Sequence, residues 1–185
     1  MRKPAMAATM TLLLASLAAC GQHLDQGPVL ITTTMPAPSS PTDSPEPDAC
    51  PADGLRYTAG AVEAALGHRA FVVTLLNCGT GTRQVAGYPD VQVLDATGRP
   101  LDVRIDHSTS YMAIDPGPGS FALAPGKTLL TVLSWSATVT DGDAQTGAAV
   151  TIAAAGEEPR RLAARTDLGT TAELSVTAWN PGLVQ

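Results

Sequence analysis

The stretch from Leu75 to Pro89 limits what this chain can fold into more than any other part of the sequence. An apolar run ends there at Leu76, and Asn77, Cys78 and Gly79 follow directly. Asn and Gly are favoured where a chain turns sharply, because both tolerate backbone conformations that other residues avoid. We therefore predict a corner at which a buried strand ends and the chain turns into the next strand.

Short runs rich in Val, Leu, Ile and Thr occupy the rest of the second half, and turns containing Gly or Pro separate them. Alternation of apolar and polar residues, as in Leu101 to Ile105, is typical of antiparallel sheets with one buried face. Thr128 to Trp135 is more continuously apolar and is expected to be a central strand. Many short strands at this spacing indicate an all-β sandwich or barrel. The predicted strands are Leu55–Thr58, Ala61–Leu66, Arg69–Leu76, Gln84–Ala86, Val91–Asp95, Leu101–Ile105, Ser120–Leu123, Thr128–Ser136, Ala148–Ala155, Arg160–Ala164 and Thr171–Thr177.

Two alanine-rich segments are ambiguous between strand and helix. Ala61 to Ala65 also has the composition of a short helix, because Ala and Glu favour helices. The alanines around Ala153 carry the same ambiguity, since strand propensity depends strongly on context.

The N-terminus has the pattern of a bacterial lipoprotein signal peptide, residues 1–19. Arg2 and Lys3 precede an apolar segment from Met6 to Leu17, which is shorter than the roughly 20 residues that span a bilayer. The segment ends in Leu17-Ala18-Ala19-Cys20, an aliphatic residue and two small ones before a cysteine. This pattern predicts cleavage before Cys20 and lipidation of its thiol, and two acyl chains give stable anchoring. The alternative is an ordinary secretory signal with a cysteine there by chance.

Residues 20–49 are predicted to be a disordered tether, and residues 50–185 a folded domain. Pro, Thr and Ser dominate the tether, and no aromatic residue precedes Tyr57. Such a segment cannot bury enough apolar surface to offset the entropy of ordering it. A proline-rich chain extends about 3.1 Å per residue, so the tether reaches on the order of 90 Å. We expect a domain held outside the cell, on the outer face of the cytoplasmic membrane.

The cysteines predict a disulfide between Cys50 and Cys78. Three cysteines are present, and lipidation of Cys20 leaves an even pair in an exported protein, where oxidation is favoured. The alternatives are two buried thiols or a redox pair, and no Cys-x-x-Cys motif supports the latter.

The composition excludes some partners and cofactors. The formal net charge is −6, and an acidic chain lacks the clustered Lys and Arg that bind phosphates, so we expect no nucleic-acid partner. Asp141-Gly142-Asp143 has the start of a calcium loop but lacks the closing Glu, which favours a solvated turn. His23, His68 and His107 do not have the spacing of zinc ligands. We predict no metal site and no cofactor.

The loop from Asp106 to Gly119 is the candidate binding surface. It is long and carries His107, Tyr111 and Met112 among small polar residues, and long loops on rigid sandwiches often carry function. The alternative is a disordered crossover without function.

Several motifs together resemble a known family. They are Leu75-Leu76-Asn77-Cys78-Gly79-Thr80, Val85-Ala86-Gly87-Tyr88-Pro89-Asp90-Val91, Leu94-Asp95 with Gly98, Leu123-Ala124-Pro125-Gly126-Lys127, and Leu133-Ser134-Trp135. These motifs resemble the actinobacterial secreted domain of unknown function 4232 (DUF4232), in particular a subgroup reading Asn-Cys-Gly-Thr and Gly-Tyr-Pro. The resemblance covers most of residues 50–185. It implies an immunoglobulin-like antiparallel β-sandwich at the cell surface, and no activity, because the family has none assigned.

The functional hypothesis is a lipoprotein that is attached to the membrane through Cys20 and presents a non-catalytic domain to a cell-wall or envelope protein partner. The sequence contains no nucleophile elbow, phosphate-binding loop or metalloprotease motif. One alternative is a hydrolase that uses His107 with Asp102, Asp106 or Ser108, although adjacent residues rarely form a triad. Another is a carrier of a small ligand or metal.

Overall fold

The computed structural model describes residues 49–184. The predicted signal peptide, Cys20 and the tether up to residue 48 lie outside the described residues. Within residues 49–184 every regular element is a strand, so the predicted all-β class is confirmed. The strands are β1 (Leu55–Ala59), β2 (Glu63–Ala65), β3 (His68–Asn77), β4 (Arg83–Ala86), β5 (Asp90–Leu94), β6 (Arg104–Asp106), β7 (Ser120–Leu123), β8 (Thr128–Ser136), β9 (Gln145–Gly147), β10 (Ala149–Ala153), β11 (Arg160–Leu162), β12 (Thr166–Gly169) and β13 (Glu173–Val176).

The main sheet has the strand order β1-β3-β8-β13-β6, and β2 also pairs with β3. Every pairing in it is antiparallel except that of β13 with β6, which is parallel. The strand β8 lies in the middle, between β3 and β13, as its continuous apolarity predicts. Its long pairing with β3 runs from His68 opposite Ser136 to Leu76 opposite Thr128.

Three smaller sheets form the second layer: β11-β10-β5, β4-β7 and β9-β12. Alternate residues of β3, namely Phe71, Val73 and Leu75, are buried in the core. The same core contains Val150 and Ile152 of β10, so both layers bury their inner faces against each other. This is the predicted β-sandwich.

The observed strands differ from the prediction in three places. The predicted strand Ala61–Leu66 is present but shorter, at Glu63–Ala65, and the helical alternative is wrong, since pairing with β3 outweighs the helix propensity of this segment. Only Arg104–Asp106 of the run 101–105 is a strand. The short strands β9 and β12 are not predicted from the sequence, because neither has the alternation of apolar and polar residues that indicates a strand. Gly147 of β9 is required by packing, since a Cβ atom there would lie 2.3 Å from Cγ1 of Val93.

The predicted disulfide between Cys50 and Cys78 is present, with a Cα–Cα distance of 5.8 Å and a sequence separation of 28. Closing a loop of this length stabilises the fold by about 3.5 kcal/mol in the chain-entropy model. Beside the disulfide, the carbonyl of Gly54 accepts the N–H groups of Cys78 at 2.9 Å and Gly79 at 3.1 Å. A Cβ atom on Gly54 would lie 2.9 Å from the Cα of Gly79, so only glycine fits there.

Asn77 connects this corner to its surroundings, and it is 1 % exposed. Its side-chain amide donates to the carbonyls of Gly81 at 2.8 Å and Leu123 at 2.7 Å, and its Oδ1 accepts the N–H of Gly79 at 3.1 Å. Its backbone N–H donates to Lys127 at 3.0 Å, and its carbonyl accepts from Gly126 at 2.7 Å. All these polar groups of Asn77 are therefore satisfied, as a buried amide requires.

Polar contacts also join the two layers. The hydroxyl of Tyr57 accepts the N–H of Ala154 at 2.9 Å, and the indole N–H of Trp135 donates to Asp167 at 2.9 Å. Burial is the main reason that the pKa of Tyr57 lies above its usual value. These contacts hold the layers in register, in addition to the non-directional hydrophobic packing.

We expect Asn77→Ala to lower the free energy of unfolding by about 3 kcal/mol, because it leaves the carbonyls of Gly81 and Leu123 without their amide donor and removes a buried side chain. Urea unfolding of both proteins measures the change. The matched control is Asn180→Ala, since the Asn180 amide donates to Gly182 in an exposed position. That control is expected to cost less than about 1 kcal/mol. Equal losses in the two variants would contradict the role assigned to Asn77.

Candidate functional site

The segment from His107 to Gly119 connects β6 to β7 and lies against the outer face of the main sheet. The outer face consists of the residues that alternate with the core residues, such as Ser134 between the buried Leu133 and Trp135. The hydroxyl of Ser134 donates to the hydroxyl of Ser110 in the loop at 2.7 Å. The loop is therefore attached to the face of the central strand.

Ser110 holds the tip of this loop in a tight turn. Its hydroxyl accepts the N–H groups of Met112 and Ala113, each at 3.2 Å, and its own N–H donates to the carbonyl of Ala113 at 2.8 Å. Serine hydroxyls commonly organise turns in this way. The turn presents Tyr111 and Met112 at its tip.

Asp115 anchors the second half of the loop. Its carboxylate accepts the Tyr88 hydroxyl at 2.7 Å and the N–H of Ala178 at 2.9 Å, while its own N–H donates to Thr109 at 3.0 Å. The hydrogen bond to Asp115, together with desolvation and the carboxylate charge, raises the pKa of Tyr88 to about 12. The Gly87-Tyr88-Pro89 corner thereby holds the loop in place.

Two aromatic stacks flank the loop. His107 stacks on Tyr88, with ring centroids 4.0 Å apart and ring planes 5° apart. His68, at the start of β3, stacks on Tyr111, with centroids 4.6 Å apart and planes 21° apart. Tyr111 is nevertheless 60 % exposed, so the stack leaves much of its ring open to solvent.

A cavity of about 240 Å³ lies between the loop tip and the outer face. Tyr111 and Met112 of the loop line it, together with Glu173 of β13. The carboxylate of Glu173 accepts a hydrogen bond from Arg104. Hydroxyl groups dominate the rest of the lining, from Ser110, Ser134, Ser136, Thr171 and Ser175.

Met112 is shared by three depressions in the outer face. Besides the cavity at Tyr111, it lines one of about 190 Å³ with Ile114 and Leu183, and one of about 380 Å³ with Val72 and Leu183. The outer face is therefore a row of shallow depressions on both sides of Met112, and the loop divides them.

The structure brings together two of the three predicted loop residues. Tyr111 and Met112 both line the cavity of about 240 Å³, whereas His107 does not line it and stacks on Tyr88. Sequence reasoning missed the serines of β8 and β13 and also His68, which begins β3. The signal that would have found the serines is their alternation with core residues: Ser134 and Ser136 flank Trp135, and Ser175 lies between Leu174 and Val176.

The residues of the hydrolase alternative do not form a triad. In a triad the histidine stands between the carboxylate and the hydroxyl. Here the Ser108 hydroxyl donates directly to the Asp106 carboxylate at 2.5 Å, and the His107 ring lies on Tyr88. Among residues 49–184 there is also no group of three or more His, Cys, Asp or Glu side chains placed to hold a metal ion.

The fold and this site define a β-sandwich domain with an open, hydroxyl-lined outer face. The model of the family described as a domain of unknown function, DUF4232, matches residues 50–180. The chain belongs to this family, as its motifs predicted. No curated protein and no solved structure matches the chain. Within the part of the chain that the structure describes, no helix is long and apolar enough to cross a membrane.

We expect Tyr88 to lose its proton with a midpoint near pH 12, because its hydroxyl proton is held by Asp115. The pKa in the folded state lies above the usual value of 10. The protonated hydroxyl therefore contributes stability below pH 10, and this contribution is lost as the pH rises towards 12. The difference in phenolate absorbance between the unmodified chain and Tyr88→Phe, followed against pH, isolates this transition. Asp115→Ala is expected to move its midpoint towards 10, and a midpoint already near 10 in the unmodified chain would contradict the assignment.

Proposed function

We propose that the chain is a cell-surface lipoprotein whose β-sandwich domain binds a component of the cell envelope and catalyses no reaction. The observation that carries the proposal is the outer face: a row of open depressions, lined by hydroxyl groups and by Tyr111 and Met112. Tyr111 is exposed and Met112 partly exposed, and aromatic and Met side chains among polar groups are typical of recognition surfaces.

A binding role is also supported by how the loop is held. Ser110 and Asp115 fix the loop with hydrogen bonds to β8 and to the chain after β13. A loop held in this way presents Tyr111 and Met112 without the entropy cost of ordering them on binding. Preorganised side chains around an open surface suit reversible binding of a large partner.

The proposed location rests on the N-terminal sequence. The segment Leu17-Ala18-Ala19-Cys20 supports lipidation of Cys20, and the Pro-rich residues 20–49 support a tether between the lipid and the domain. The domain would then stand on the outer face of the cytoplasmic membrane, within reach of the cell wall.

We expect the protein extracted from membranes to begin at Cys20 and to carry diacylglycerol on it. The measurement is the intact mass of the protein, followed by peptide mass analysis of its N-terminus. The variant Cys20→Ala keeps Cys50 and Cys78 and is expected to move the protein from the membrane fraction to the soluble fraction. An unmodified N-terminus at another residue would contradict lipidation.

We expect the immobilised full-length chain to retain an envelope component, and Met112→Glu to reduce this retention at least fivefold. A carboxylate at the centre of the outer face repels polar acceptors and cannot replace the thioether contact. The matched control is Gln84→Glu, which places the same group at an exposed position of β4. Retention that is absent, or that both variants reduce equally, would contradict binding through the outer face. Thermal unfolding of both variants checks that they are folded.

A further inference from the structure

We propose that the cavity at Tyr111 binds a β-linked pyranose glycan, a sugar polymer whose ring substituents are equatorial. The inference rests on the proposed function and names the ligand class for the same outer face. It is carried by one juxtaposition: an exposed, preorganised aromatic ring beside a wall of hydroxyl groups and one carboxylate.

The ring of Tyr111 provides a stacking platform. His68 covers one face of the ring at a centroid distance of 4.6 Å, and the ring remains 60 % exposed. A pyranose with equatorial substituents has its axial C–H groups on the two faces of the ring, so each face is apolar. Such a face packs on an exposed aromatic ring as other apolar groups do, and burial of the ring supplies the binding energy.

The polar lining of the cavity provides groups that can hydrogen-bond the equatorial hydroxyls of a sugar. Serine and threonine hydroxyls both donate and accept, and a carboxylate accepts only. Within residues 49–184 the hydroxyl of Ser175 forms no hydrogen bond, so it is available to a ligand. Glu173 lies on the same strand and is held by Arg104. These groups therefore suit a polyol, which has both donors and acceptors, better than they suit a purely apolar or a singly charged ligand.

The size of the cavity favours a polymer over a small molecule. Sites that enclose a drug-sized ligand measure about 300–1,000 Å³, whereas this cavity measures about 240 Å³. It therefore holds one unit of a longer chain and leaves the rest in solvent. The neighbouring depression beside Met112 and Val132 continues the surface along the outer face, so a second unit has a place to lie.

The test is calorimetric titration of the full-length chain with chitotetraose, the β-1,4-linked tetramer of N-acetylglucosamine. The chain is purified in a detergent without a sugar headgroup, because such a headgroup would compete. We expect saturable binding that Tyr111→Ala weakens at least tenfold and Ser175→Ala weakens about threefold. The variant Tyr111→Phe keeps the platform and is expected to bind within about twofold of the unmodified chain.

The matched control is Ile114→Ala, which truncates a half-exposed side chain of the same loop outside this cavity. It is expected to leave the affinity unchanged. The absence of saturable heat at 10 mM chitotetraose, or binding that Tyr111→Ala leaves unchanged, would overturn the inference. If chitotetraose does not bind but Met112→Glu still reduces retention of an envelope component at least fivefold, the glycan inference is wrong and the proposed function stands.

Discussion

The fold depends on one buried amide. Asn77 ends the core strand β3, and its side chain and backbone together make five hydrogen bonds to the chain around it. These bonds connect β3 to the turn before β4 and to the end of β7. The disulfide between Cys50 and Cys78 then attaches the start of the domain to the same point. A polar group buried this deeply is stabilising only because each of its donors and acceptors is satisfied.

Different parts of the domain supply its stability and form the candidate binding site. The inner faces of both layers and the Asn77 corner supply stability, so the outer face of the main sheet is free to carry serines, a glutamate and the loop from His107 to Gly119. Tyr88 and Asp115 connect the two regions, because the turn at Gly87-Tyr88-Pro89, which follows β4, also anchors the loop. The candidate site is thus built on a rigid support, which is how sandwich domains commonly present a binding loop.

The sequence predicts the core better than the site, and the reason is physical. Strong apolar runs such as 69–76 and 128–136 specify buried strands, and turn chemistry at Asn77 and Gly79 specifies the corner. The strand β12 and the stack of His68 on Tyr111 depend on contacts between distant parts of the chain, which local patterns do not encode. Tyr111 and Met112 were predictable because a long loop concentrates unusual side chains. His107 was assigned to the same surface for the same reason, and its ring packs on Tyr88 instead of lining the cavity.

Native-state hydrogen exchange tests the central claim most directly, because it reports the free energy of opening at each amide. If the corner supports the whole fold, the amides of Asn77 and Gly126 exchange only through global unfolding. The amides of Met112 and Ala113 then exchange through a smaller, local opening of the loop. Exchange of Asn77 and Gly126 through a local opening, while the β3–β8 ladder stays protected, would contradict the account.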